Sequence, residues 1–178
     1  MDNFSRTFED IAYLASGNER QKDAFAVLTK GQVMERLKDF DPLLVGTVPL
    51  GIDVEGSDLD IICSCGDNKT FQEVLVSNFS ACRLFRIWNT VIGSAETVLA
   101  NFFLEGWEIE IFGQKKPSRE QNGYRHMIVE HRLLVRYGQS LKDQVIALKE
   151  KGIKTEPAFA MVLNLKGDPY QALLKLDL

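Results

Sequence analysis

Apolar residues recur along the chain with two different periods, and the change of period divides it into three stretches. From about residue 5 to residue 40 the spacing is helical. Ser5 or Thr7 can cap a first helix through Phe8, Ile11, Ala12 and Leu14, which Gly17 ends. Between about Arg20 and Leu37, Phe25, Leu28, Val33, Met34 and Leu37 fall near 3.6-residue spacing, with Gly31 as a point of kinking or splitting. Asp41-Pro42 stops the pattern, because a residue before proline avoids the α region. Short apolar runs and alternations follow. Leu43 to Val48 reads as a strand, and Pro49, Gly51 and Gly56 as a turn-rich connection. Ser57 to Cys63 reads as a second strand, with Leu59 and Ile61 on one face and Asp58 and Asp60 on the other. After a helix over Asp67 to Val76, three more strands are predicted: Cys82 to Asn89, Glu96 to Leu104 and Trp107 to Phe112, with Gly93 and Gly106 at the turns. Helical spacing returns over Arg119 to Tyr137 and Leu141 to Lys151, with Gly138 and Gly152 as stops, and a short helix over Pro169 to Leu176 closes the chain.

Helices, a strand-rich middle with one embedded helix, then helices again predict an α/β (α+β) fold: a mixed sheet flanked by helices, with a helical carboxy-terminal segment. The expected organisation is amino-terminal helices over 1–40, a sheet-bearing unit over 41–116 and a helical segment over 117–178, together one compact domain. The 178 residues are 45% apolar and 26% charged, which suits a globular chain with a sizeable core and excludes a disordered or fibrous one.

A formal charge of −4 argues against a dedicated nucleic-acid binder, although Lys115, Lys116 and Arg119 make a local basic spot. It leaves open small anionic ligands held through a metal. Three cysteines, an amino terminus without an apolar core and no apolar run of membrane-spanning length lead to the expectation of a soluble, cytoplasmic protein in a reducing setting. Cys63-x-Cys65 supplies half of a structural zinc site, and both histidines, His126 and His131, are far away in sequence, so these read as free thiols.

The informative stretch runs from Val45 to Ile61. Gly46-Thr47 follows a strand, where glycine lets a phosphate approach backbone amides and threonine offers a hydroxyl. Asp58 and Asp60, two apart on a strand, put both carboxylates on one face. That repulsion is a cost in a purely structural role. A divalent cation removes it, and magnesium favours one or two carboxylates plus phosphates and water. A third acid comes from the strand around Trp107 to Phe112, where Glu108 and Glu110 share a face opposite Trp107, Ile109 and Ile111. Glu110, deeper in the apolar run, is the preferred candidate.

These residues resemble the fingerprint of the nucleotidyltransferase superfamily: an apolar residue, Gly-Gly or Gly-Ser, a spacer, then Asp-apolar-Asp/Glu-apolar. Here it reads Val45-Gly46-Thr47, ten residues, then Asp58-Leu59-Asp60-Ile61. More narrowly, the chain resembles a bacterial family of this length placed within that superfamily as a domain of unknown function. That match is carried by Val45 to Ile62, Glu110 to Gln114, and Tyr124-Arg125-His126 to Arg132-Leu133-Leu134. The resemblance implies a mixed-sheet palm in which Asp58, Asp60 and Glu110 bind Mg2+ (or Mn2+), and Gly46, Thr47 and Ser57 position a nucleoside triphosphate. Thr47 replaces the usual Gly or Ser, and a glutamate stands at the third position, where aspartate is commoner. The implied activity is transfer of a nucleoside monophosphate to an acceptor, a small molecule or protein rather than a long nucleic acid. The alternative is a non-catalytic nucleotide-binding or protein-interaction module, including a toxin–antitoxin component.

Three further expectations concern the rest of the chain. The helix around Tyr124 to Val135 packs through Met127, Ile128, Leu134 and Val135 with its charges on the outer face. Arg125 or Arg132 is able to reach a phosphate, His126 and Glu130 share a face, and His126 is an alternative candidate for a general base. Glu105, Lys115 and Lys116 are solvated turn charges. Trp88 and Trp107 are core.

Overall fold

The computed structural model describes residues 8–178. Five strands form one mixed sheet: β1 (Leu43–Val45), β2 (Leu59–Ser64), β3 (Arg83–Ile92), β4 (Ala95–Leu104) and β5 (Trp107–Gln114), in the spatial order β1-β2-β5-β4-β3. β2 and β5 are parallel and every other pairing is antiparallel. Parallel neighbours need a long crossover, and helix α3 (Asn68–Phe79) with the β3–β4 hairpin supplies it. The fold class expected from the sequence is the one observed.

The helices form where the sequence can satisfy their ends. Asn18 and Gln21 make a reciprocal capping box at the start of α1 (Glu19–Lys30). Asp67 caps α3, and Asp168 caps α6 (Pro169–Leu174). Gly31 does split the second predicted helix: α1 stops there, Gln32 turns left-handed at φ 53°, and a single turn, α2 (Val33–Arg36), follows. The two predicted helices around Gly138 form α4 (Asn122–Lys149), broken at Gly138, whose φ of 67° is left-handed.

Several expectations are corrected. Ser5 and Thr7 lie outside the described residues, and the predicted first helix is a 3-10 turn over Ala12–Ser16. β1 ends at Val45, because Gly46 turns to φ +82°. β2 begins at Leu59, so Asp58 lies just before it. Helix α5 (Thr155–Val162) is absent from the sequence reading: Pro157 and the unbroken run Ala158–Val162 hide its period, although proline is tolerated in a first turn. Trp88, expected in the core, is 41% exposed on the outer strand β3.

The two sheet faces have different fates. Leu59, Ile61, Val98, Ala100, Phe102, Ile109 and Ile111 form one core with Ala24, Val27 and Leu28 of α1 and Phe71, Leu75 and Phe79 of α3. On the opposite face, Leu43, Val45 and Ile62 pack with Tyr124, Met127 and Leu133 of α4, Ala158 and Phe159 of α5 and Leu173 of α6. That second core sits over β1, β2 and Phe112 near the end of β5. The same face of β5 and β4 carries Glu108, Glu110 and Asn101, half-buried beside it. A sheet dry on one side and helix-covered over one edge on the other leaves a cleft along the uncovered boundary.

Gly113 shows how closely the first core is packed: a Cβ there would run into the Phe71 ring. Gly113→Ala is expected to destabilise the protein by about 1–3 kcal/mol, read as a lower urea midpoint.

Candidate active site

The site is a row across the sheet. Parallel pairing sets Asp60 of β2 directly against Glu110 of β5. Antiparallel pairing sets Glu110 against Asn101 of β4, and Asn101 against Arg86 of β3. Directly paired residues share a face, so the sheet carries two acids, an amide and a guanidinium side by side. Asp58, two residues before Asp60, joins them: ligand oxygens of Asp58, Asp60 and Glu110 all lie within 4.8 Å of one another. Among the described residues this is the one group of acids that converges so closely. Glu108 stands one step back along β5, where Asn101 Nδ2 donates to it at 2.6 Å and to Glu110 at 3.2 Å.

The turn after β1 closes on the same carboxylates. Gly46 has no alternative residue: a Cβ there would run into the Asp60 carboxylate, and its φ of +82° is left-handed. The Thr47 carbonyl accepts the amides of Leu50 and Ile52, each at 3.2 Å, and Gln21 Nε2 donates to the Val48 carbonyl at 2.9 Å, tying the turn to α1. Ser57 is placed differently from Gly46 and Thr47. Its Oγ accepts the Val54 amide at 2.9 Å and so braces the loop leading to Asp58.

Crowding dominates the electrostatics. Burial, then the neighbouring carboxylates of Asp58, Glu110 and Glu156, pushes the Asp60 carboxyl up to about 8. Burial also raises Asp58, with Glu108 adding to it, and raises Glu110 against the hydrogen bond from Asn101. The one lysine that opposes this at both aspartates is Lys149, near the end of α4, itself pulled down by burial. Its Nζ donates to the Ile52 carbonyl at 2.8 Å. Three oxygen donors this close, two of them on one strand edge and poorly neutralised, fit a hard divalent cation such as magnesium.

Gly46, Thr47 and Asp60 open onto a cleft of about 530 Å³ between the sheet and the first turns of α4 and α5. Here the expectation for α4 is corrected. Val135 is 56% exposed, whereas His126 and Glu130 are buried and face the cleft, because the face following Tyr124, Met127 and Leu133 is the one laid on the sheet. Arg125 stays exposed. Lys116, read as a solvated turn charge, lines the cleft rim. Lys149, Asn101, Arg86 and Glu156 are site-flanking residues that sequence reasoning passed over. Their signal exists only in the strand register and the helix packing.

A family model covers residues 26–176, under the description DUF4269, a domain of unknown function. The chain belongs to that family. No curated protein sequence matches it. Among solved structures, it is similar to the Cid1 poly(U) polymerase with MgGTP bound, at 12% identity and a TM-score of 0.55 over 75% of this chain and 42% of that one. It is also similar to the polymerase core of TRAMP, an RNA surveillance complex, at 13% identity and a TM-score of 0.53 over 92% of this chain and 50% of that one. A third match is the GLD-2/RNP-8 complex, at 10% identity and a TM-score of 0.50 over 90% of this chain and 60% of that one. The chain therefore spans about half the length of the structures it matches. At these identities the likeness is one of fold alone, a nucleotidyltransferase-like mixed sheet flanked by helices. Among the described residues, no helix is long and apolar enough to cross a membrane.

Two predictions follow from the geometry and its charges. Asn101→Ala frees both glutamates of β5 and is expected to weaken Mn2+ binding by about 10–100-fold, measured by calorimetry. Asp60 ionises near 8 in the folded protein and near about 4 in an unfolded chain. Between those values the folded state holds a proton the unfolded chain has lost, so stability falls as pH rises through the window. Metal-free protein is expected to melt lower at pH 8.5 than at pH 5, and Asp60→Asn to narrow that gap, in thermal unfolding followed by circular dichroism.

Proposed function

We propose that this protein is a metal-dependent nucleotidyltransferase, moving a nucleoside monophosphate from an NTP onto an acceptor. The observation that carries this reading is the meeting of Asp58, Asp60 and Glu110 oxygens within 4.8 Å, beside the Gly46-Thr47 turn at the mouth of the cleft. Asp58, Asp60 and Glu110 hold Mg2+ (or Mn2+), and a bound ion of this kind supplies Lewis-acid polarisation of phosphate oxygens. Gly46 lets the triphosphate approach the backbone, Thr47 offers a hydroxyl donor, and Ser57 keeps the loop before Asp58 in shape. Lys149, and Arg86 at the far end of the acid row, supply the positive charge that the protein itself brings.

The acceptor's oxygen or nitrogen forms a bond to the α-phosphorus. The bond from that phosphorus to the oxygen bridging to the β-phosphate breaks, and pyrophosphate leaves with the electron pair. The acceptor's proton passes to a carboxylate, for which Glu110, the acid that the neighbouring strand sets against Asp60 and whose proton affinity burial raises, is the candidate. The solved structures of similar fold include one with MgGTP bound, which supports this assignment of nucleotide and metal.

The test is calorimetry of the four NTPs with Mg2+, on wild type and on Asp58→Ala/Asp60→Ala. Metal-dependent binding is expected in the wild type and absent from the double variant. Release of pyrophosphate, once an acceptor is supplied, is expected to fall on the order of 10²-fold or more in the variant. Folded protein that binds no NTP would sink the transferase and leave a non-catalytic module on the same fold.

A further inference from the structure

Beyond Asp60, the wall of the cleft is made by α4 and the first turn of α5. Glu130 is 3% exposed, lines the cleft, and its Oε1 has no hydrogen-bond partner. Glu156 lines the same wall, with its Oε1 3.4 Å from Nδ1 of His126. Nε2 of His126 lies 3.0 Å from the Tyr170 carbonyl, which can only accept, so Nε2 is the donor there. The histidine is thus committed on both sides and leaves Glu130 unserved.

A buried acceptor without a partner costs about 1–3 kcal/mol. That oxygen is itself sealed from the cleft, while the Glu130 side chain borders a cavity of about 530 Å³, the size that holds a small molecule. Glu130 is not one of the acids that converge for a metal. Lys149 acts on Glu130 through its charge, yet its Nζ is hydrogen-bonded to the Ile52 carbonyl. Phosphate oxygens are disfavoured at this wall, where they would meet the carboxyl groups of Glu130 and Glu156. Neither His126, committed to Glu156 and the Tyr170 carbonyl, nor Lys149, bonded to the Ile52 carbonyl, donates to Glu130. Ser94 and Thr155 also line the cleft and offer neutral polar groups for the rest of a ligand.

We propose that the cleft wall formed by Glu130 and Glu156 is a subsite for the ammonium group of a small-molecule amine, the acceptor of the transfer. The role of acceptor rests on the transferase function proposed above; amine binding itself does not. The amine's N–H groups donate to the carboxyl groups of Glu130 and Glu156 that line the wall, and its body lies in the cleft towards Asp60. The acidic balance of the chain, −4 overall, favours the approach of such a cation.

The experiment titrates the isotope-labelled full chain, without nucleotide or metal, with glucosamine, benzylamine and cadaverine, each beside its fully N-acetylated form. At least one amine is expected to shift the backbone amides of Asn122, Gly123 and Thr155 and to bind at least tenfold more tightly than its acetylated form. Glu130→Gln is expected to remove that preference while keeping the wild-type amide spectrum elsewhere. If Glu130→Gln does not fold, Thr155→Lys, which plants an ammonium group on the rim, serves instead and is expected to abolish the preference. Equal binding of amine and acetylated form, no amine shifting those amides, or a preference surviving the folded variant overturns the proposal. NTP binding on the same samples reports on the transferase separately: amine preference without NTP binding sinks the transferase and spares the subsite.

Discussion

Asp60 and Glu110 face each other across a parallel strand pair, and much of this molecule is arranged to hold them there. Strands in such a pair lie about 4.8 Å apart, and like charges directly opposite one another destabilise it. The opposite face supplies the restraint. Leu59, Ile61, Ile109 and Ile111 alternate with the acids and are fully buried, so neither strand can slip by one residue without turning its acids into the core. The apolar face therefore fixes the position of the charged one. It cannot remove the repulsion, which remains as carboxyls that hold their protons too tightly.

The same pressure explains the parts around the row. Asn101 stands next to Glu110 and divides its amide hydrogens between the two glutamates of β5. Lys149 arrives from the far end of a long helix and opposes the charge on Asp58 and Asp60. Gly46 is bare so that the turn can close over the Asp60 carboxylate without a collision. Each of these features gives the acids a neighbour or room, and none supplies enough positive charge to balance them. The resulting deficit is the physical ground on which a divalent cation is proposed at one end of the cleft and an amine at the other.

Much of the palm was legible in the chain because its signals are local. Period-two alternation over Trp107 to Phe112 separates acids from core residues on any strand, and Asp58-Leu59-Asp60 does the same. Gly31 and Gly138 interrupt their elements where the spacing suggested, the second through left-handed backbone. Ends were read less well. β1 is cut short by a glycine turn rather than running to Val48, and α5 is concealed by a proline and an all-apolar run.

The sequence by itself determined which residues could do chemistry at the palm: the acids, their shared faces and the glycine turn, all matters of spacing within a few residues. The tertiary structure alone decided which strand lies beside which, and so that Glu110 stands opposite Asp60 with Asn101 and Arg86 beyond it. It also decided which face of α4 is laid on the sheet. A face of mixed polarity has no clear inward side in sequence, and only packing over β1 and β2 turned His126 and Glu130 inward and left Val135 in solvent. Lys149 and Glu156 act on Asp60 from 89 and 96 residues further along the chain, a distance over which no periodicity carries information.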